Sequence, residues 1–307
     1  MLKAYADWWY QERRDPETGL MSAVFEETFI PYYGCAMEYA PVDTNVEVYV
    51  GLIYTARLGE KMGENDHAAL LRERAKQLKT AIQKYLWVQE KGAFYPYDLV
   101  EKQPIDCLMA STFYPLRMQI ANAQQQKMLL TLLQDHQHFN WDTIPLTSVS
   151  KKDPIFKTPK GHYQGNASWS GNVWTLINET VVRGLIDCNE KELAAELAMK
   201  TVRAFHRNCA EFINPFDGTG QGVLQYAWSA AQYITLIIEV IFGIHIDGHT
   251  RTVTILPNLT EALKREELSI TGLTVLNGVK LDVWLRHAEV AYAISDPSVK
   301  VICPSIS

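Results

Sequence analysis

HAALLRERAKQLKTAIQKYLW, residues 67–87, places Leu70, Leu71, Ala75, Leu78, Ile82 and Leu86 on one stripe, with Arg, Lys and Glu opposite. Apolar residues at three- and four-residue spacing describe an amphipathic α-helix with one buried face. The same period extends outward in both directions. It appears in Leu2, Tyr5, Trp8 and Trp9, in VEVYVGLIYTARLGEKMG after Asp43, and in DCLMASTFYPLRM and NAQQQKMLLTLLQD. It returns in SGNVWTLINETVVRGL, EKELAAELAMKTVRAFHRN and WSAAQYITLIIEVIFG. These runs predict roughly eight helices up to residue 242. The links between them alternate between short and long, the long ones being 15–42, 88–103, 136–168 and 209–224. That alternation suits a bundle or toroid of helical hairpins, with the long links gathered on one face.

After Phe242 the period changes to two. TRTVTILP, LSITGLTVL, VKLDVWLR and VAYAISD alternate, punctuated by Gly248, Pro257, Gly272, Asn277-Gly278 and Pro297. The pattern predicts a small antiparallel β-region. A piece of that size is marginal alone and is expected to pack on the helices. The expected organisation is a helical domain over 1–242 and a β-domain over 243–307.

With 307 residues, 47% of them hydrophobic, the chain can bury a sizeable core, and its net charge of −6 argues against nucleic acid or an anionic membrane as partner. No two of the five cysteines have C-x-x-C spacing, and His136 and His138 lie in a polar stretch beside Trp141, so no metal site is expected. The N-terminus lacks the apolar core of a signal peptide, and YITLIIEVIFGI is too short to span a membrane and carries Glu239. The expectation is a soluble, cytoplasmic protein.

The stretch that points to chemistry is CAEFINPFDGTGQGVLQYAWSAAQY, residues 209–233. Glu211 precedes Asn214-Pro215 and Asp217-Gly218, which force a tight turn. Gly220 and Gly222 allow close backbone approach, and Tyr226 and Trp228 supply flat apolar faces. A fixed carboxylate that activates water beside rings that stack on a sugar is the equipment of glycoside hydrolysis. An acidic residue in a capping turn between helices is the alternative reading.

The run Glu-x-x-Asn-Pro-x-x-Gly-x-x-x-Gly followed by Trp-Ser-Ala-Ala resembles the late motif of family 63 glycoside hydrolases and their trehalase-like and mannosylglycerate hydrolase relatives. It is carried here by Glu211, Asn214, Pro215, Gly218, Gly222 and residues 228–231. The resemblance implies a six-hairpin (α/α) toroid, an inverting mechanism with Glu211 as general base, and no cofactor. HYQGNASWSGNVWTLINETVVRGL, through Trp169, Gly171, Val173, Trp174 and Gly184, resembles the family's pocket-lining stretch. The family usually has Arg before that Gly, where this chain has Ser170, so a sugar or carboxylate contact is altered. DTIPLTSVSKKDP resembles a Pro-Leu loop upstream, and YADWWYQERRDPETGL the helix and turn before the loop of the catalytic acid. The C-terminal strands resemble the small β-domains that follow the toroid in several bacterial six-hairpin glycosidases.

Inverting hydrolysis also needs a general acid, with the two carboxyls about 6.5–9.5 Å apart. The family's acid is an Asp in a Glu-Ser-Gly-x-Asp run, which is absent here. The corresponding link, GLMSAVFEETFIPYYGCAMEYAPVDTNVEV, offers Glu26 and Glu27 between Phe25 and Phe29. An apolar wall raises a carboxyl pKa, and Glu27 is the first choice for the acid, with Glu26 close behind. Both being surface or ion-paired residues is the alternative. Asp43, in a PVDTN run like that of trehalase-like relatives, reads either as a helix N-cap or as a pocket residue. Tyr32, Tyr163, Gln164, Asn166, Trp169, Trp174, Gln221 and Trp228 are the expected substrate contacts, although aromatic residues in such links also serve as wedges between hairpins.

A complete six-hairpin toroid needs about twelve helices. With roughly eight read here, about four at the N-terminal side of the barrel are expected to be lacking, which implies an open toroid, one completed by a second copy or a partner chain, or a truncated form. The leading functional expectation is hydrolysis of an α-linked disaccharide or short oligosaccharide. A non-catalytic or partner-dependent carbohydrate-binding remnant is the alternative. A phosphorylase would need a His and Arg cluster near Glu211, which the sequence does not display.

Overall fold

The structure is a computed structural model. It describes residues 2–24, 27–29, 38–158, 168–206, 209–258, 260–261, 263–287 and 289–303. The helices are α1 (Leu2–Trp8), α2 (Val42–Lys61), α3 (Asn65–Ala81), α4 (Ala123–Gln134), α5 (His136–Phe139), α6 (Thr175–Asp187), α7 (Lys191–Phe205) and α8 (Ala227–Thr235). Wider π turns continue α1 over Trp9–Arg13, α3 over Ile82–Leu86 and α8 over Leu236–Ile241. The body is thus mainly helical, as the period predicts. No described helix is long and apolar enough to cross a membrane.

The short links are tight because their backbones can take left-handed angles. Between α2 and α3, Gly63 sits at φ +81°, and the amide of Glu64 donates to the carbonyl of Gly59. Between α6 and α7, Asn189 sits at φ 64°, and the amide of Glu190 donates to the carbonyl of Leu185. Such bonds satisfy the orphan carbonyls of a helix end while reversing the chain. Each pair then closes as a hairpin on apolar stripes. Leu71, Ala75 and Leu78 of α3 are fully buried or nearly so, but Leu70, expected on that stripe, is 46% exposed. It lies a full residue off the buried face, where the helix has turned outward.

One expected helix is different in kind. The run DCLMASTFYPLRM forms a 3₁₀ segment over Ala110–Gln119, not an α-helix. Pro115 lies inside it, and Arg117 and Met118 leave helical angles. A proline lacks the amide that an α-helical interior needs, so the tighter winding accommodates it. This segment packs on α6 at Gly184, where an added Cβ would meet the Leu116 Cβ at 2.9 Å. Gly184 is therefore required by close packing.

Asn178 of α6 is fully buried and ties three pieces together. Its side chain accepts from the Leu146 amide at 2.9 Å and donates to the Pro145 carbonyl at 2.8 Å and the Thr201 hydroxyl at 2.9 Å. The Pro-Leu loop is thereby fastened to both helices of the α6–α7 hairpin.

The C-terminal region is built of two three-stranded sheets. One is antiparallel, with Glu267–Val275, Val279–Arg286 and Glu289–Ile294 in that order. The other is mixed: Thr252–Ile255 pairs antiparallel with Ile244–Asp247 and parallel with Lys300–Ile302. The parallel pair departs from the all-antiparallel expectation. It arises because the last strand returns to the free edge of Thr252–Ile255 instead of turning back by a hairpin. Val253, Ile255, Leu281 and Val283 belong to the same buried cluster as the helical core, so the strands pack on the helices as their size requires.

Replacing Asn178 with Ala strands the Leu146 amide and the Pro145 carbonyl in the interior. The expected cost is about 1–3 kcal/mol. It should appear as a lower urea midpoint at unchanged slope, and a midpoint equal to wild type would show that the clamp carries no stability.

Candidate active site

Glu211 lies at the start of a two-strand ribbon, Phe212–Ile213 against Gly220–Gln221. The turn between the strands is bound internally. The Phe216 amide donates to the Asn214 side chain, the Gly218 amide to the Asn214 carbonyl, and the Thr219 amide to Asp217. Gly218 and Gly222 both have positive φ, at 70° and 68°. At Gly222 the reason reaches the carboxylate itself. A Cβ there would stand 2.6 Å from Glu211 Oε2. The glycine lets the Glu211 carboxylate lie against the backbone, where Oε2 accepts from the Val223 amide at 3.1 Å. Glu211 is 8% exposed.

The next helix connects this carboxylate to a pocket. In the first turn of α8 the Ser229 hydroxyl donates to the Glu211 carbonyl at 3.3 Å. Its neighbour Trp228 is 49% exposed and lines a cavity of about 430 Å³. The cavity runs between α1 and α2. Leu2, Tyr5, Ala6 and Trp9 form one wall, and Asp43, Glu47, Val48, Gly51, Leu52 and Thr55 the other. Glu27 and Phe29 close one end. Glu211 is not among the lining residues; it belongs to the same helix-and-turn unit as Trp228.

Three carboxyls therefore line the pocket, each in a different setting. Arg13 grips Glu27 with two bonds, Nε to Oε2 at 3.0 Å and Nη2 to Oε1 at 2.9 Å, and the Val24 amide adds a third at 3.0 Å. Burial pushes the Glu27 carboxyl up, but the Arg13 fork and the Val24 amide together hold it below the usual range. The apolar-wall argument for Glu27 as a protonated acid is corrected by this pairing: Arg13 favours the carboxylate. No feature of the sequence joins Arg13 to a glutamate fourteen positions away.

Asp43 is buried at 2% exposure. It is not the N-cap of α2, a position held by Pro41 without any side-chain cap. It stands inside the first turn and accepts from the Phe29 amide at 2.7 Å and from the Thr28 hydroxyl at 3.0 and 3.1 Å. Burial outweighs these bonds and pushes its carboxyl up to about 6. Its neighbours complete a clamp. The Thr44 hydroxyl donates to the Glu27 carbonyl at 2.7 Å, and the Asn45 side chain exchanges bonds with the Met21 amide and carbonyl.

Glu47, one turn later, was missed in the sequence. It is an exposed residue on the pocket wall, although much protein surrounds its carboxyl. Burial first, then the charges of Glu179 and Asp43, push its carboxyl up against the pull of Arg117. The available signal was the spacing of Asp43 and Glu47, which puts both on one face of an otherwise apolar helix.

The expected aromatic platforms take a different arrangement. Trp169 and Trp174 stack on one another, with ring centroids 3.6 Å apart. Phe29 packs on the far side of Trp169 at 4.6 Å, and Phe212 on the far side of Trp174 at 4.6 Å. Trp174 is 3% exposed and donates from its ring nitrogen to the Ser168 carbonyl. Their ring faces are covered by one another, which assigns both tryptophans to the wedge reading; the open ring is Trp228. Gln221 is 7% exposed, and neither atom of its amide makes a hydrogen bond among the described residues. Glu26, Tyr32, Tyr163, Gln164 and Asn166 lie outside the described residues. Among the described residues no group of three or more His, Cys, Asp or Glu side chains is placed to hold a metal ion.

The chain is similar to known glycoside hydrolases. Residues 30–229, about two thirds of the chain, match the mannosylglycerate hydrolase MGH1-like glycoside hydrolase domain. A mannosylglycerate hydrolase of Thermus thermophilus is 30% identical over 148 residues, covering 48% of this chain and 33% of that protein. The crystal structure of a family 63 mannosylglycerate hydrolase from the same species, in complex with glucose, is similar at a TM-score of 0.57 and 24% identity, over 64% of this chain and 48% of that one. A family 78 rhamnosidase of Bacillus sp. GL1 shares the fold at a TM-score of 0.65 and 15% identity over 98% of this chain, but 31% of its own. The chain spans about a third of the length of the curated Thermus relative.

The raised carboxyl of Asp43 has a consequence for stability. Its pKa in the fold, about 6, lies above the ordinary 3.8, so the folded state holds the proton more tightly. Its contribution is fully present below 3.8 and is lost as pH rises through about 6. Asp43→Asn should therefore gain stability relative to wild type between about pH 4 and pH 7 in paired urea melts. A pH-independent difference between the two proteins would show that Asp43 does not titrate in that range.

Proposed function

The chain belongs to the mannosylglycerate hydrolase MGH1-like glycoside hydrolase family, and from that premise we propose that it is an inverting hydrolase of an (α/α) toroid, acting on an α-linked disaccharide or short oligosaccharide. The observation that carries the reading is the setting of Glu211. Its carboxylate is held by the Val223 amide against a glycine that no other residue can replace without displacing it. The same unit presents Trp228 to a pocket lined by carboxyls.

In this reading a sugar ring stacks on Trp228, and the Gln221 amide, which makes no hydrogen bond among the described residues, is assigned to substrate contact. Tyr163, Gln164 and Asn166 are assigned to substrate contact from the link before Trp169. The four-ring stack of Phe29, Trp169, Trp174 and Phe212 braces the wall between the pocket and Glu211. Water attacks the anomeric carbon as Glu211 removes its proton, and a pocket carboxyl protonates the departing oxygen. Glu27, held as a carboxylate by Arg13, orients substrate and does not supply that proton.

Glu211→Gln is expected to lower turnover by at least about 10²-fold, the low end of a general base's contribution. Unchanged hydrolysis by a variant with wild-type melting would remove Glu211 from the mechanism.

The pocket also discriminates by charge. Glu27 is held ionised within it, and Ser170 stands where the family usually carries an arginine. With the Glu27 charge already matched by Arg13, an anionic aglycone such as glycerate finds no free cation among the described lining residues and meets the further carboxyls Asp43 and Glu47, a juxtaposition that costs binding energy. The expected kcat/KM for an uncharged α-linked disaccharide exceeds that for mannosylglycerate by at least about tenfold. Preference for mannosylglycerate would overturn this assignment of substrate class.

A further inference from the structure

Resting on the hydrolase reading above, we propose that Glu47 is the proton donor to the departing glycosidic oxygen. Among the described residues three carboxyls line the pocket, and two are committed to the protein. Glu27 is bound by Arg13 and the Val24 amide, and Asp43 by Thr28 and the Phe29 amide. Glu47 makes no hydrogen bond and no ion pair among the described residues, and it faces the cavity with solvent access. Gly51, one turn further along α2, has no atom within 4 Å of where its Cβ would stand, so this stripe of the helix is open to a ligand.

The groups around Glu47 favour its neutral form. Asp43 lies one turn back on the same helix, and Glu179 comes from α6. Tyr114, from the 3₁₀ segment, is buried, and burial first, then the charges of Glu47 and Asp43, raise the pKa of its hydroxyl. Arg117, from the same segment, is the opposing charge and keeps the group within reach of ionisation. From α1 the facing wall is Tyr5, Ala6 and Trp9, which is low in polarity. A carboxyl so placed can carry a proton near neutrality and release it.

The step balances. The Glu47 proton moves to the glycosidic oxygen as the bond from that oxygen to the anomeric carbon breaks. Water bonds to the anomeric carbon and passes its proton to Glu211. Free sugar and alcohol leave, and exchange with solvent returns the proton to Glu47 and removes it from Glu211.

The test uses the full chain and pairs of substrates that differ in leaving group: α-linked glucose and mannose disaccharides beside α-glucosyl and α-mannosyl fluoride. Fluoride departs without protonation. Glu47→Gln should lose at least about 10²-fold on the disaccharide, stay within about tenfold of wild type on the fluoride, and lose the basic limb of the pH profile. Glu47→Asp should recover part of the disaccharide activity. Equal losses on both substrates, or no loss, would overturn the proposal while leaving a hydrolase. So would the same leaving-group signature appearing in Glu27→Gln or Asp43→Asn instead. A wild-type chain that hydrolyses neither substrate would overturn the hydrolase reading, and the role of Glu47 with it.

Discussion

The first turn of α2 holds the chain from Met21 to Phe29, and the pocket depends on that contact. Asp43 binds the Thr28 hydroxyl and the Phe29 amide, Thr44 binds the Glu27 carbonyl, and Asn45 exchanges bonds with Met21. Asn45 is fully buried, so its bonds act in low dielectric, where they are strong and expensive to break. The clamp fixes three things together. It sets Glu27 beside Arg13, it turns Phe29 toward Trp169, and it leaves Glu47 as the next residue on the same helical face.

Phe29 carries the effect across the molecule. Its ring begins a stack that continues through Trp169 and Trp174 to Phe212, the residue after Glu211. Each ring buries a large apolar area, and offset contacts between such rings add about 0.5–1.5 kcal/mol per pair beyond that burial. The wall of the pocket and the turn that holds Glu211 are therefore parts of one packed unit. Ser229 joins them a second time, through its bond to the Glu211 carbonyl. Movement of the Met21 to Phe29 segment would be felt at Glu211 through packing, with no need for a direct contact.

What the sequence displays and what it conceals follow from range. Local features were legible. The change from a 3.6 to a 2.0 period near Phe242 marks the passage from helix to strand. The Asn-Pro and Asp-Gly steps after Glu211 form a turn because each has a short-range steric cause. Pro115 shows the limit of periodicity: the apolar spacing there suits a helix, but the missing amide selects 3₁₀ winding. Long-range pairings were not legible. The Arg13 fork on Glu27 reverses the ionisation expected from the flanking phenylalanines, and no spacing encodes it. The two tryptophans stand close together in one link of the sequence, yet whether their faces meet a sugar or one another depends on Phe29 and Phe212, far away in sequence.

The three pocket carboxyls show why composition alone cannot assign an acid. Glu27, Asp43 and Glu47 are nearly the same chemical group in one cavity. A bidentate guanidinium makes the first an anion. Deep burial raises the second, but its acceptor bonds to a backbone amide and a hydroxyl commit it to holding the chain, and losing them would release the segment it anchors. The third has the raised affinity for a proton without structural duty. Proton transfer needs a group that can change charge without breaking what supports it. By that criterion Glu47 is fitted to transfer a proton, Asp43 to hold the chain and Glu27 to carry a fixed charge.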